Sequence, residues 1–128
     1  MEVVACVGDI AASGGYWLAC SADNIFVANT SMVGSIGVIH RSFGVDKLME
    51  CLGVETRVIT AGSSKDLMDP FKPLKDEDVE TMKTVIDSVH KIFIKKVKES
   101  RGSRLSEDDE TLFSGKIWGA EDALAWTC

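Results

Sequence analysis

Two residue types in this sequence are placed where they could do chemistry: a serine in a glycine-rich turn and a lysine in a later loop. Ala11-Ala12-Ser13-Gly14-Gly15-Tyr16 separates an apolar run at residues 3–7 from a second at 17–20. With the first run read as a strand and the second as part of a helix, Ser13 stands at a strand-to-helix turn that pushes its hydroxyl into the open. The N–H groups that follow belong to a helix start, where backbone donors lack acceptors and partial positive charge collects. Glycines there let a substrate backbone come close. That arrangement suits a nucleophile with its oxyanion donor next door. The same residues also read as a tight turn in which Ser13 caps the helix.

A serine nucleophile needs a base. His40 and His90 are the only histidines. His40 follows a strand, but no acidic residue is placed to orient it, and neither histidine has metal-ligand spacing to the other, so both read as structural. The other base known to serve a serine is a lysine whose pKa is lowered by burial. Lys65 is the candidate, in the loop Ala61-Gly62-Ser63-Ser64-Lys65-Asp66 after a strand, where functional side chains are often displayed. Most other lysines fall on helix faces or helix ends. Lys65 equally reads as an ordinary loop lysine.

The elements that must position these residues alternate along the chain. Residues 3–7 predict a buried strand, being apolar throughout. A short helix follows the Ser13 turn to about Ala22, and residues 25–28 predict a second strand. Residues 32–39 read as an apolar strand interrupted by glycines, a sign of a bulge or a close backbone approach. Residues 46–52 predict a helix stopped by Gly53, and the alternation over 54–60 predicts another strand. Pro70 and Pro73 keep the next segment irregular. One long helix is expected from Asp76 to about Ser100, with Val79, Met82, Val85, Ile86, Val89, Ile92, Phe93 and Val97 as its apolar residues. Acids at its start and Lys95, Lys96 and Lys98 near its end suit its dipole. Ser106 with Asp109 reads as a capping box, residues 115–118 as a short strand and 120–126 as a last helix. Alternating strands and helices predict an α/β layered fold.

Composition narrows the field. The 128 residues suffice for one domain or part of one, and 45% are hydrophobic, enough for a core. A net charge of −6 gives a nucleic-acid role no electrostatic support. No apolar run approaches the length of a membrane span, and no basic-then-apolar leader is read in these residues. Cys6, Cys20, Cys51 and Cys128 form no CxxC pair, so metal binding is not expected, and Cys6 and Cys20 read as small buried hydrophobes. Residues 1–2 run straight into an expected central strand, and the sequence stops just after a short helical pattern. A fragment, an isolated domain or an incomplete reading of a gene is expected to account for that.

Ala11-Ala12-Ser13-Gly14-Gly15-Tyr16, Ala22-Asp23, Val33-Gly34-Ser35-Ile36-Gly37-Val38, Gly62 with Lys65-Asp66 and Pro70, and Ser114-Gly115-Lys116-Ile117-Trp118 occur in that order. Together they resemble the signal peptide peptidase A (protease IV) family of serine peptidases, over nearly the whole chain. The resemblance implies a Clp protease/crotonase-like α/β fold, truncated at its N-terminus, forming a single partial peptidase domain. It implies a Ser–Lys dyad that needs no metal or cofactor. Ser13 matches the nucleophile, Lys65 the general base, Ser35 the serine that hydrogen-bonds and aims the lysine amine, and Gly14 the glycine whose N–H forms half of the oxyanion hole. The implied substrates are cleaved signal peptides and other unfolded apolar segments. The implied partner is a second copy of the chain, in a homo-oligomer whose site is shared between subunits. Membrane association is implied only through an anchor absent from these residues.

The chain departs from that family in two places. The glycine-rich loop that supplies the second oxyanion N–H belongs to an earlier strand-helix unit, before this chain begins. Where the family continues into Gly-Leu-Val-Asp, this chain has Ala125-Trp126-Thr127-Cys128. Two other readings stand beside the peptidase. One is a crotonase-like acyl-CoA enzyme, which would stabilise an enolate with two backbone N–H groups and has no need of a Ser–Lys pair. The other is a catalytically incomplete fragment or assembly subunit.

Overall fold

The computed structural model describes residues 1–106 and 108–127, the last two by backbone alone. Strands β1 (Val4–Val7) and β2 (Ile10–Ala12) lead into helix α1 (Gly14–Ala19), then β3 (Asn24–Val27) and β4 (Met32–Gly34). Helices α2 (Asp46–Cys51) and α3 (Asp76–Arg101) follow, then a 3-10 turn (Gly102–Arg104), α4 (Asp109–Leu112), β5 (Ile117–Gly119) and α5 (Ala120–Thr127). The mixture is α/β. The chain divides into two compact units: residues 1–38 together with the chain from Asp87 onward, and residues 39–86.

The first unit holds all the strands found among the described residues. β1 pairs with β3 in parallel, from Val4 opposite Asn24 to Val7 opposite Val27. β2 pairs with β4 in parallel, Ile10 opposite Met32 and Ala12 opposite Gly34, and β5 closes the second sheet antiparallel to β4. Parallel neighbours require a crossover, and α1 lies within the crossover of both pairs. The two sheets are tied where their strands end and begin. Buried Ser31 accepts from the N–H of Ala28 (2.9 Å) and lies 2.6 Å from the Gly8 carbonyl, to which its hydroxyl donates. Met32 N–H donates to the Asp9 carbonyl at 2.9 Å. Ala11, Tyr16, Cys20, Val33, Ile36, Phe93, Val97, Leu112, Phe113, Trp118 and Ala123 form the core. Trp17 packs on Phe93 with ring centroids 4.8 Å apart.

The second unit carries α2, the loop of residues 61–73 and the first turns of α3. α2 ends where Gly53 takes φ +65°, as the sequence predicts. Asp76, Glu77 and Asp78 occupy the first turn of α3, where carboxylates suit the positive end of the helix dipole.

Several expectations need correction. Residues 54–60 form no strand: they are exposed and join neither sheet among the described residues, and alternation without a partner edge makes no sheet. β1 forms, but it is not buried, because β3 pairs on one edge and one face carries no packing layer; Cys6 is exposed with it. Cys20 is buried as expected. β4 stops at Gly34 instead of continuing to 39, because Gly34 (φ +102°) and Ser35 (φ +53°) leave strand geometry. α1 stops at Ala19, short of Ala22. The cap of α4 is Asp108, whose carboxylate accepts from Thr111 N–H at 2.8 Å; Ser106 instead donates to the Ala125 carbonyl. On α3 the inward line runs Met82, Ile86, His90, Phe93, Val97, Arg101, at steps of three and four, while Val79, Val85, Val89 and Ile92 are exposed. The expected stripe mixed two faces of one helix.

Gly34 gives a direct test of this packing. A Cβ there would lie 2.3 Å from Trp118 Cε3 and 3.0 Å from the Lys116 carbonyl, at a φ that disfavours side chains. Gly34→Ala should lower the unfolding free energy by about 2–4 kcal/mol, combining overpacking with backbone strain. Urea denaturation measures it, and an unchanged midpoint would show that Trp118 does not pack over Gly34.

Candidate active site

Ser13 joins the last residue of β2 to the first of α1 at φ 52° and ψ −117°, a backbone region that a residue with a Cβ rarely occupies. Two hydrogen bonds hold it there. Its N–H donates to the Gly34 carbonyl on the neighbouring strand (2.8 Å), and its carbonyl accepts from Trp17 N–H in the first turn of α1 (2.9 Å). Ala11 before it and Tyr16 after it are buried, so the exposed tip of the turn is anchored at both ends. Ser13 occupies the cap position, yet its side chain makes no capping hydrogen bond. The hydroxyl is therefore exposed and not spent on the helix, which decides against the N-cap reading.

Gly14 and Gly15 are exposed, and a Cβ at either would meet nothing within 4 Å. Packing within the chain does not require glycine at these positions. Their N–H groups lie in the first turn of α1, where no intrahelical acceptor is available.

Ser35 stands one residue beyond the end of β4, as Ser13 stands one beyond the end of β2. Since Ala12 is opposite Gly34, the two serines come next in register at the carboxyl ends of a parallel pair. Open α/β sheets bind ligands at such ends. Ser35 also has positive φ (+53°), with its N–H on the Lys116 carbonyl (2.6 Å) and its carbonyl accepting from Gly37 N–H (2.9 Å). Among the described residues, three that are not glycine have positive φ: Ser13, Ser35 and Met68. Strain of this kind gathers at functional sites. The sequence pointed to Ser13 by its turn and to Ser35 by resemblance, but carried no sign of their positive φ.

Ser13, Gly14 and Ser35 are thus brought together in the first unit. Lys65 belongs to the second, exposed on a loop of successive turns, with its N–H on the Gly62 carbonyl at 3.3 Å. Met68 (φ +57°) lies three residues further on, its N–H donating to the carboxylate of Asp78 on α3. The carboxylate next to Lys65, that of Asp66, is held by Lys72 Nζ at 2.5 Å. That bond keeps the Asp66 carboxyl below the usual range and Lys72 above it. The sequence reading missed this pair; a lysine six residues after an aspartate, with Pro70 between them, is the signal it leaves.

His90 Nε2 is 3.1 Å from the Ile36 carbonyl, within the first unit, and His40 is exposed. Burial pushes the Cys20 thiol up, away from a reactive thiolate. Among the described residues, no three His, Cys, Asp or Glu side chains gather as a metal site. An apolar groove of about 510 Å³ borders the Ser13 turn, lined by Val4, Cys6, Val7, Ile10, Gly15 and Leu18 among others. The bare face of β1 forms part of it.

The sequence matches peptidase family S49 over residues 1–127. It is 33% identical over 122 residues to the chloroplastic serine protease SPPA of Arabidopsis thaliana, covering 94% of this chain and 18% of that one. It is 36% identical over 121 residues to the putative protease MJ0651 of Methanocaldococcus jannaschii, covering 94% and 39%. It is also 48% identical over 124 residues to a Brucella abortus protein named Na(+)/H(+) antiporter NhaA; the match covers 97% of this chain but 17% of that one, so the antiporter name belongs to a protein most of which lies outside the match. No described helix here is long and apolar enough to cross a membrane. The chain spans less than a fifth of the Brucella abortus protein and of SPPA, and about two fifths of MJ0651. The chain belongs to peptidase family S49.

The unspent hydroxyl has a measurable signature in stability. Ser13→Ala should change the unfolding free energy by no more than about 0.5 kcal/mol, against ~1 kcal/mol for loss of a true N-cap. Ser13→Gly should be neutral or stabilising by up to about 1 kcal/mol, since glycine adopts positive φ without strain. A loss of 1 kcal/mol or more in Ser13→Ala would show that the hydroxyl caps the helix.

Proposed function

We propose that this member of family S49 is a serine endopeptidase domain in which Ser13 is the nucleophile and Lys65 the general base. The observation that carries the reading is the Ser13 turn: a strained, exposed serine held by its backbone alone, with its side chain free of the helix it precedes. The protease names of the relatives support the class of reaction. Neutral Lys65 would take the proton from Ser13 Oγ as that oxygen attacks the peptide carbonyl. The N–H of Gly14 would receive the negative charge that develops on the carbonyl oxygen, a contribution worth roughly a hundred- to a thousandfold in rate. The protonated amine would then return its proton to the leaving nitrogen. Water, deprotonated by the same amine, would clear the acyl-enzyme. Ser35, in register with Ser13, would hydrogen-bond the lysine amine and aim it.

The apolar groove beside Gly15 favours peptides with small or hydrophobic side chains, as cleaved signal peptides are. The parallel pairs β1·β3 and β2·β4, with α1 in both crossovers, fit the Clp protease/crotonase-like arrangement. An acyl-CoA enzyme of that arrangement would leave the strained Ser13 without a use. We place the working site in an oligomer, because an exposed Lys65 is hydrated, and burial against a neighbour is what would favour its neutral form.

Ser13→Ala and Lys65→Ala should each abolish most hydrolysis of a signal-peptide substrate, and the double variant should lose little more, since the two act as one unit. Near-full activity in Lys65→Ala would remove it as the base. Mixing the two inactive single variants should restore activity if the site is shared between subunits. No recovery in demonstrably mixed oligomers would place both residues in one subunit.

A further inference from the structure

In the loop that carries Lys65, the carboxylate next to it in sequence, that of Asp66, is engaged by another lysine. Turns close in series: Lys65 N–H on the Gly62 carbonyl, Leu67 on Ser64, Asp69 on Asp66 and Lys72 on Asp69, at 3.1–3.4 Å. The series brings Lys72 Nζ back onto Asp66 Oδ2 at 2.5 Å, with Asp69 Oδ2 at 4.0 Å. These side chains are mostly withdrawn from water: 35% exposed for Lys72, 22% for Asp66 and 14% for Asp69. Asp69 also accepts from Phe71 N–H, and Asp78 on α3 holds Met68 N–H. Asp46 in the first turn of α2 lines the same cavity as Met68, Asp69 and Lys72. Lys75 is the other cation acting on Asp66. The carboxylates bonded to this loop or lining the cavity beside it are Asp46, Asp66, Asp69 and Asp78, with Lys72 and Lys75 as the cations acting on Asp66.

We infer that Lys72 is a positioning residue: by engaging Asp66, it denies Lys65 an adjacent counter-ion and fixes the turn from which Lys65 projects. This rests on Lys65 being the base. A lysine acts as a base only when neutral, and an ammonium beside a carboxylate holds its proton more tightly. Asp66 is one residue from Lys65, and a lysine's flexible four-carbon stem lets its amine reach a carboxylate set free there. Lys72 is therefore the group that separates a working amine from a permanently paired one.

The test is the pH dependence of kcat/KM for a peptide substrate, measured on the active protein that contains this domain. In Lys72→Met the apparent pKa of the alkaline rise should move up by about 1 unit, the low end of the effect of a nearby carboxylate. Activity on the rising limb should then fall about tenfold while the high-pH plateau stays within about twofold. Lys72→Arg should keep the parent profile, and Asp66→Asn added to Lys72→Met should bring the pKa back. A uniform loss at every pH, or an unshifted profile, would overturn the inference. If Lys72→Met fails to fold, Lys72→Gln replaces it: it keeps a donor for Asp66 without the charge, a smaller upward shift is expected, and no shift overturns the proposal. Lys65→Ala run alongside separates the two levels. If it stays active, the base assignment fails; if it is inactive and Lys72→Met is unshifted, only the role of Lys72 fails.

Discussion

The hydrogen bond from Ser13 N–H to the Gly34 carbonyl holds a residue with a side chain in a conformation such residues avoid. A positive φ outside glycine costs of order 1–3 kcal/mol, so it persists only where its surroundings impose it. Here the imposition comes from the parallel pairing of β2 with β4, which sets the Gly34 carbonyl where Ser13 must meet it, and from α1, whose first turn claims the Ser13 carbonyl. Trp118 packs over Gly34, and Lys116 holds Ser35, so β5 props the same edge from the other side. The core of the first unit thus fixes two serines at the carboxyl ends of adjacent strands and leaves one hydroxyl exposed.

A second constraint is electrostatic and lives in the other unit. A lysine proposed as a base sits in a loop that also carries two aspartates, Asp66 and Asp69. Pairing Asp66 with Lys72 satisfies the nearest carboxylate locally, while the bond from Met68 N–H to Asp78 ties the loop to the start of α3. Both partners of the ion pair are partly exposed, so its contribution to stability is modest. Its value lies in where it directs charge. Strain at Met68 and charge pairing at Asp66 are both local devices for holding a loop still.

Much of this was legible in the residues, and the parts that were not have identifiable causes. The Ser13 turn, α2 with its Gly53 stop and the long α3 follow from glycine placement, apolar runs and acidic first turns, all short-range signals. The strand expected at 54–60 failed because alternation says what a strand could bury, not whether a partner edge exists. The α3 stripe failed because apolar residues occupy two faces, and only packing chooses Phe93 and Val97 over Val85 and Ile92. The Asp108 cap was missed because Ser106 and Asp109 fit the same spacing rule. The left-handed geometry of Ser35 goes with a bond across the first unit to the Lys116 carbonyl, and Met68 and the Lys72–Asp66 pair depend on how their own loop turns, none of which composition encodes.

We propose the Ser13 hydroxyl as the attacking group of this family S49 member. The most direct measurement of that role is covalent capture: treat active protein with a serine-directed fluorophosphonate, digest it, and locate the adduct by tandem mass spectrometry. A single phosphonylated residue, Ser13, is expected, formed in proportion to the loss of activity and slowed when peptide substrate competes. Complete inactivation with the adduct on another residue, or modification of Ser13 with activity intact, would contradict it.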